Sequence, residues 1–281
     1  MGNPMDEKSP AGPGDSADSK AMPAPPPYSE PEPATAAAGA SSSHHIARQF
    51  PPAFGMYKAS SFSQRHYAIG EHQANPLYHV SIHSGWSGQA DVILHAGASE
   101  SAPPLASVDG SAFSRKHSIT LPAAPAAGAA TQTLSSSMGW PHSTYSFAIE
   151  TGHGAAAPVE RFEWRHSSDD AIKGMGGRGS GWKLVRLSTG APAGMGHDAQ
   201  FVGGGPRTSD GKEVVAVYSW ASMSMTKAMY FQFLGSGASG GLGERWAIMA
   251  VITALAIWNK ERKARNSAAA SSGAAGGGGG G

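Results

Sequence analysis

The feature that most constrains this chain is a short apolar run near its C-terminus, residues 246–258, which holds no charge and a single hydroxyl, Thr253. On a helical wheel its apolar side chains cover every side, and a helix apolar all round has to be enclosed by protein or by lipid. No Gly or Pro interrupts 244–265, and Ala, Leu, Met, Glu, Lys and Arg are good helix formers. Glu244 in the first turn and Lys260, Arg262, Lys263 and Arg265 near the end suit the helix macrodipole. A membrane span takes about 20 apolar residues, and this uncharged run is markedly shorter. Its length fits a core helix enclosed by protein. Burying Trp246, Ile248, Met249, Val251, Ile252, Leu255, Ile257 and Trp258 contributes roughly 12–24 kcal/mol gross, against which ordering entropy works. The sequence predicts a core helix over 244–265 in which Trp246, Ile248, Ile252, Leu255 and Trp258 are enclosed.

What encloses it is read from the preceding 190 or so residues. From Phe54 onward the pattern is one of short period-two segments separated by Gly, Pro, Ser and Asp. Strands are expected near 56–62, 65–70, 77–84, 91–96, 105–108, 117–121, 144–151, 159–166, 182–187, 213–220 and 227–234. Tyr145, Phe147 and Ile149 alternate with polar or small residues, and Phe162 and Trp164 alternate with Arg161, Glu163 and Arg165. One face of each strand is dry and the other wet, as in antiparallel strands around a core. Eleven such strands and one all-apolar helix point to a mainly β protein. Its sheet closes around the helix, which removes the strand edges and fills the lumen.

Composition sets the domain limits. Residues 1–53 hold 11 of the 20 prolines and no tryptophan, and 267–281 is only Ser, Ala and Gly, so both are expected to be disordered tails. The folded domain is expected over 54–266, which contains all seven tryptophans. Net charge is +1, there is no nucleic-acid motif, and cysteine is absent, which excludes disulfides and thiolate chemistry. No secretory signal pattern opens the chain, and Asp6 stands where a myristoylation motif wants Ser or Thr. A cytoplasmic protein is expected, peripheral at membranes if it meets them.

Gly174-Met-Gly-Gly-Arg-Gly179 matches a dinucleotide fingerprint in spacing, but a strand follows it rather than a helix, so a loop is expected. His166, Ser167, Ser168, Asp169 and Asp170 are adjacent in sequence, which makes a polar turn rather than a catalytic triad. His79 and His83 lie roughly 13 Å apart along a strand, too far to share a metal. No metal, cofactor or catalytic residue is expected. Pro25, Pro26 and Tyr28 complete a P-P-x-Y sequence, which in polyproline II form suits the groove of a WW domain. Arg161, Arg165, Arg178, Lys183 and Arg186 are expected to share the outer faces of two neighbouring strands as a basic patch for anionic phospholipid. Lys260, Arg262, Lys263 and Arg265 extend such a patch if the helix end protrudes.

Six segments also recur as a set: Val80-Ser-Ile-His-Ser-Gly-Trp86, Phe162-Glu-Trp-Arg-His-Ser-Ser168, Ser180-Gly-Trp-Lys-Leu-Val-Arg186, Gly211-Lys-Glu-Val-Val-Ala-Val217, Phe233-Leu-Gly-Ser-Gly-Ala-Ser239 and Gly243-Glu-Arg-Trp-Ala-Ile-Met-Ala-Val-Ile-Thr-Ala-Leu255. Over roughly 54–265 the chain resembles a fungal group related to the tubby C-terminal domain, the phospholipid scramblases and the LURP-one-related proteins. The resemblance implies a barrel of about twelve strands threaded by a C-terminal hydrophobic helix. It also implies lipid-facing work: tubby-type domains bind phosphoinositides through basic surface residues. Scramblases bind calcium at an acidic segment beside the last helix, whereas 235–243 here has no carboxylate. The chain is therefore read as a non-enzymatic binding module, associating with phosphoinositide-bearing membrane surfaces and recruiting a WW-domain partner through its tail. The alternative is a scramblase-like membrane protein that uses 246–258 as an anchor.

Overall fold

A computed structural model describes residues 49–60, 64–84, 87–110, 114–122, 130–138, 143–152, 157–192 and 206–274. Twelve strands form one closed antiparallel barrel in which every strand pairs with its sequence neighbours and the first meets the last. They are β1 (Ala53–Lys58), β2 (His66–Gly70), β3 (Tyr78–Ile82), β4 (Val92–His95), β5 (Pro104–Asp109), β6 (Lys116–Thr120), β7 (Thr131–Met138), β8 (Ser143–Glu150), β9 (Val159–Ser167), β10 (Gly181–Arg186), β11 (Glu213–Trp220) and β12 (Lys227–Phe233). Closure runs through β1, which pairs Gly55 with Gly70 of β2 and Phe54 with Phe231 of β12.

Three helices complete the chain: α1 (Asp170–Lys173), α2 (Gly235–Ser239) and α3 (Glu244–Ala274). The expected core helix is α3. Trp246, Ile248, Met249, Ile252, Leu255 and Trp258 are all buried within the same core as Phe147, Phe162, Trp164, Tyr218 and Phe231 of the wall. At 1.5 Å per residue the enclosed stretch, 246–259, runs roughly 20 Å. Thr253, the one hydroxyl of the apolar run, is spent on the wall: it accepts a hydrogen bond from Trp164 Nε1 at 3.0 Å and donates to Met249 O at 2.7 Å. Among the described residues, no helix is long and apolar enough to cross a membrane.

The strand missing from the sequence reading is β7. Its residues, TQTLSSSM, include one fully buried apolar side chain, Leu134, and no aromatic. It holds its place through pairing on both sides, with β6 and β8, more than through its own hydrophobicity. Two limits also move. Phe50 is buried against Tyr78, with ring centroids 4.8 Å apart, and the Tyr78 hydroxyl donates to Gln49 O, so the folded unit begins before residue 54. At the other end α3 continues past 265 to Ala274 instead of giving way to a tail at 267. Alanine is the best helix former, extension of a helix already nucleated costs little, and Ser267 and Ser271 return their hydroxyls to Ala264 O and Ala268 O.

The segment between β12 and α3 is a tight corner. A side chain at Gly237 would meet Val215 O at 2.3 Å, and Gly243, at φ 87°, would bring a Cβ within 2.4 Å of Gly152 O. Both positions require glycine. The outer face of β11 is dry as well: Val214 and Val217 pack with Ile172 of α1, backed by Met175 and Leu234.

The mouth of the barrel as a candidate binding site

The barrel has two ends, the base, where α3 begins, and the mouth, where it leaves. The basic patch expected across β9 and β10 does not assemble. Strand residues of odd separation face opposite ways, so Lys183 and Arg186 cannot share a face. Lys183 points outward, and Arg186 points into the base of the barrel at 2% exposure. There its Nε donates to Glu160 Oε2 at 2.6 Å and its Nη2 to Glu160 Oε1 at 2.9 Å, while Nη1 donates to Gly190 O and lies 3.8 Å from Glu213. Thr151 donates to the same Glu160 carboxylate at 3.0 Å. Glu213 in turn accepts from the backbone N–H and the hydroxyl of Ser236, tying α2 to the wall. Burial opposes ionisation of Glu160, yet hydrogen bonds and charge from Arg186, with help from Thr151, hold its carboxyl below the usual glutamate value.

The rest of the expected patch is largely neutralised. Arg165 is clamped by Glu163 at 2.7 Å and Asp210 at 3.0 Å, and Lys183 by Asp169. Arg161 and Arg178 are exposed and have no ion-pair partner among the described residues. Asp169 accepts from Lys183, and its backbone N–H donates to Ser167 Oγ at 3.2 Å, so the 166–170 cluster is a polar turn. The 174–179 glycine segment leads from α1 into β10, with Gly176 at φ 71°. Pro25, Pro26 and Tyr28 lie outside the described residues.

Cations gather instead at the mouth, on the last enclosed turns of α3. Each works against an aromatic ring or a wall residue. Arg265 lies 4.1 Å above the Trp220 ring, Arg262 5.5 Å from Trp258, and Lys260 5.4 Å from Tyr145. Trp258 stacks on Trp220 with centroids 5.1 Å apart and meets Tyr67 edge-on at 5.2 Å. Glu261 binds this collar together: one oxygen accepts from Trp182 Nε1 at 3.0 Å, the other from Trp220 Nε1 at 2.7 Å. Arg262 donates to Gln64 O at 2.6 Å and to Asn259 Oδ1 at 3.0 Å, and Lys263 pairs with Asp91 at 3.1 Å.

Between this part of α3 and strands β4, β5 and β6 a cavity of about 370 Å³ opens beside the helix. Its walls are apolar at Val92, Val108 and Ala256, and polar at Asp91, His117, Asn259, Lys260 and Lys263. That volume and that mix of lining suit a small amphiphilic ligand or a headgroup. Lys263 is committed to Asp91, whereas Lys260 has no carboxylate partner among the described residues. Burial lowers the Lys260 ammonium pKa, and burial together with that nearby ammonium lowers that of His117. An anion entering the cavity would relieve both.

The mouth also carries the most exposed apolar side chains of the barrel. The β11–β12 turn, 221–226, lifts Met223 and Met225 into solvent at 106% and 89% exposure, with Met223 at φ 53°. Arg178 and Gly179 lie against the same turn.

The cations at 260–265 are legible in the sequence as a helix terminus and as an extension of a basic patch, but the cavity is not, because Asp91 and His117 reach it through strands far away in sequence. No protein-family model, curated protein or solved structure matches the chain.

Proposed function

We propose that this protein is a non-enzymatic barrel whose mouth docks on anionic lipid, with phosphoinositide-bearing membrane surfaces as the target. The observation that carries the reading is Lys260, half-buried beside a cavity of about 370 Å³ and without a carboxylate partner among the described residues. A lipid phosphate reaching the cavity would supply the missing anion through a charge-assisted hydrogen bond. Arg265, Arg262 and Lys263 surround the site with positive charge, which attracts anionic surfaces at about 1 kcal/mol per cation near the membrane. Met223 and Met225, exposed at the same end, favour a lipid surface over a free anion, because a bilayer interface would cover them. A tubby-like architecture fits this reading, since a twelve-stranded barrel closed around a C-terminal helix is what the resemblance implies. Pro25, Pro26 and Tyr28 are proposed to recruit a WW-domain partner to that surface.

The test is flotation of the purified full chain with vesicles of neutral lipid alone and of neutral lipid plus phosphoinositide, at low and high salt. Flotation with the anionic vesicles only, lost at high salt, is the expected result. Salt-resistant flotation on neutral vesicles would point to insertion of 246–258, as in the scramblase-like alternative. Absence of flotation on either vesicle would overturn the lipid reading.

A further inference from the structure

The outer wall of the barrel carries a second cluster, on β2 and β3, built from histidines far apart in sequence. Tyr67, Val80 and Ile82 point into the core, so by alternation His66, His79 and Ser81 face outward. The β2–β3 register pairs His66 with Ser81 and Ala68 with His79, which sets His66 and His79 diagonally across the hairpin. His66 Nδ1 lies 3.3 Å from His79 Nε2 and 3.5 Å from Glu100 Oε2. All three ligand atoms fall within 4.8 Å of one another. The 96–103 turn that supplies Glu100 roofs this face. It is anchored by His79 N–H to Gly97 O at 2.7 Å, and by His95, whose two ring nitrogens engage Ser81 Oγ at 3.0 Å and Ala102 O at 2.8 Å.

We infer that His66, His79 and Glu100 form a binding site for a divalent transition-metal ion of the zinc class. Two nitrogens bound at 2.0–2.1 Å to a tetrahedral zinc sit about 3.3–3.4 Å apart, and the observed imidazole pair is already at 3.3 Å. Glu100 is exposed, with its side chain at 57% accessibility, so it closes the remaining gap by a change of rotamer rather than of backbone. Two imidazoles and one carboxylate select zinc and its neighbours over calcium or magnesium, which want oxygen shells. His95, with both nitrogens occupied, is a positioning residue that holds the roof over the site. His79 and His83 lie too far apart along one strand to share a metal, whereas the neighbouring strand brings His66 to His79. Three protein ligands leave a position for water or a further donor on the solvent side, where Glu100 lies.

The experiment uses the untagged full chain, stripped with chelator and titrated with Zn²⁺ against a chromophoric competitor, with Co²⁺ as a spectroscopic probe. One Zn²⁺ per chain is expected, and Co²⁺ should show the strong visible absorption of four- or five-coordination. Glu100→Gln, an exposed change that leaves the barrel intact, should weaken Zn²⁺ at least tenfold, and His66→Asn should weaken it further. A double variant of His44 and His45 to Ala should bind as the parent does. Absence of stoichiometric uptake, or uptake that survives His66→Asn or vanishes with His44 and His45, would overturn the assignment. The lipid reading stands or falls separately, because none of these residues lines the cavity beside Lys260.

Discussion

The two ends of the barrel both carry charge, but they use it differently. At the base, Arg186 is buried between Glu160 and Glu213, and it donates to both oxygens of Glu160 and to Gly190 O. Taking charges out of water costs several kcal/mol per ion, and such a network persists only when its members satisfy one another. At the mouth, four cations on α3 meet two carboxylates, Glu261 and Asp91. Glu261 is spent on two indole N–H groups instead of on a cation. Arg265, Arg262 and Lys260 rest on aromatic faces, which hold them in place without neutralising them. A satisfied network is a structural device; cations held in place beside a cavity are a candidate site.

The largest expected effect is on the element both ends share. Ile252→Asp puts an unpaired carboxylate at the fully buried centre of α3. The cost approaches the whole stability of an ordinary domain, about 5–15 kcal/mol. Insoluble protein, or protein without a cooperative unfolding transition, is expected; a soluble, protease-resistant variant would refute the enclosure of the helix. Next comes Arg186→Met, which strands two buried carboxylates at the base and should cost about 3–5 kcal/mol in urea unfolding.

The same pair of proteins separates by pH. The Glu160 carboxyl titrates below its ordinary value in the fold, so the stability it contributes is complete above the ordinary glutamate pKa of about 4.3. That contribution fades as pH falls through the lower folded value. In Arg186→Met the sign reverses, because an unpaired buried carboxyl is better off protonated. The variant should gain stability on mild acidification, whereas the parent's Glu160 contribution holds steady down to about pH 4.3, as read from melting temperatures between pH 7 and pH 4.

At the mouth, Glu261→Ala leaves the Trp182 and Trp220 indole donors without their acceptor and should cost about 1–3 kcal/mol. The smallest effect belongs to the abandoned patch. Arg161→Glu should shift stability by no more than about 0.5 kcal/mol and leave vesicle binding unchanged.

How much of this was legible varied with how local the cause was. α3 and the aromatic strands β8, β9 and β12 announce themselves through periodicity, because each element's own residues carry its burial. β7 does not, since Leu134 is the one large buried apolar residue among its described side chains and pairing with both neighbours supplies the rest. The inward turn of Arg186 is readable from strand parity with Lys183, a signal masked by the general preference of arginine for the surface. The cavity and the His66–His79 pair were not readable, since both depend on which strands close against which. α3 ran past its expected end because an Ala-rich segment follows a helix already formed, where extension needs no core.

The most direct test compares matched charge reversals at two places on one barrel. Lys260→Glu alters the mouth, and Arg161→Glu alters the outer wall, each assayed by flotation on phosphoinositide-bearing vesicles at low salt. Loss of flotation in the mouth variant, with folding intact by circular dichroism and with the wall variant still floating, is the predicted result. Flotation that survives reversal at the mouth would contradict the account.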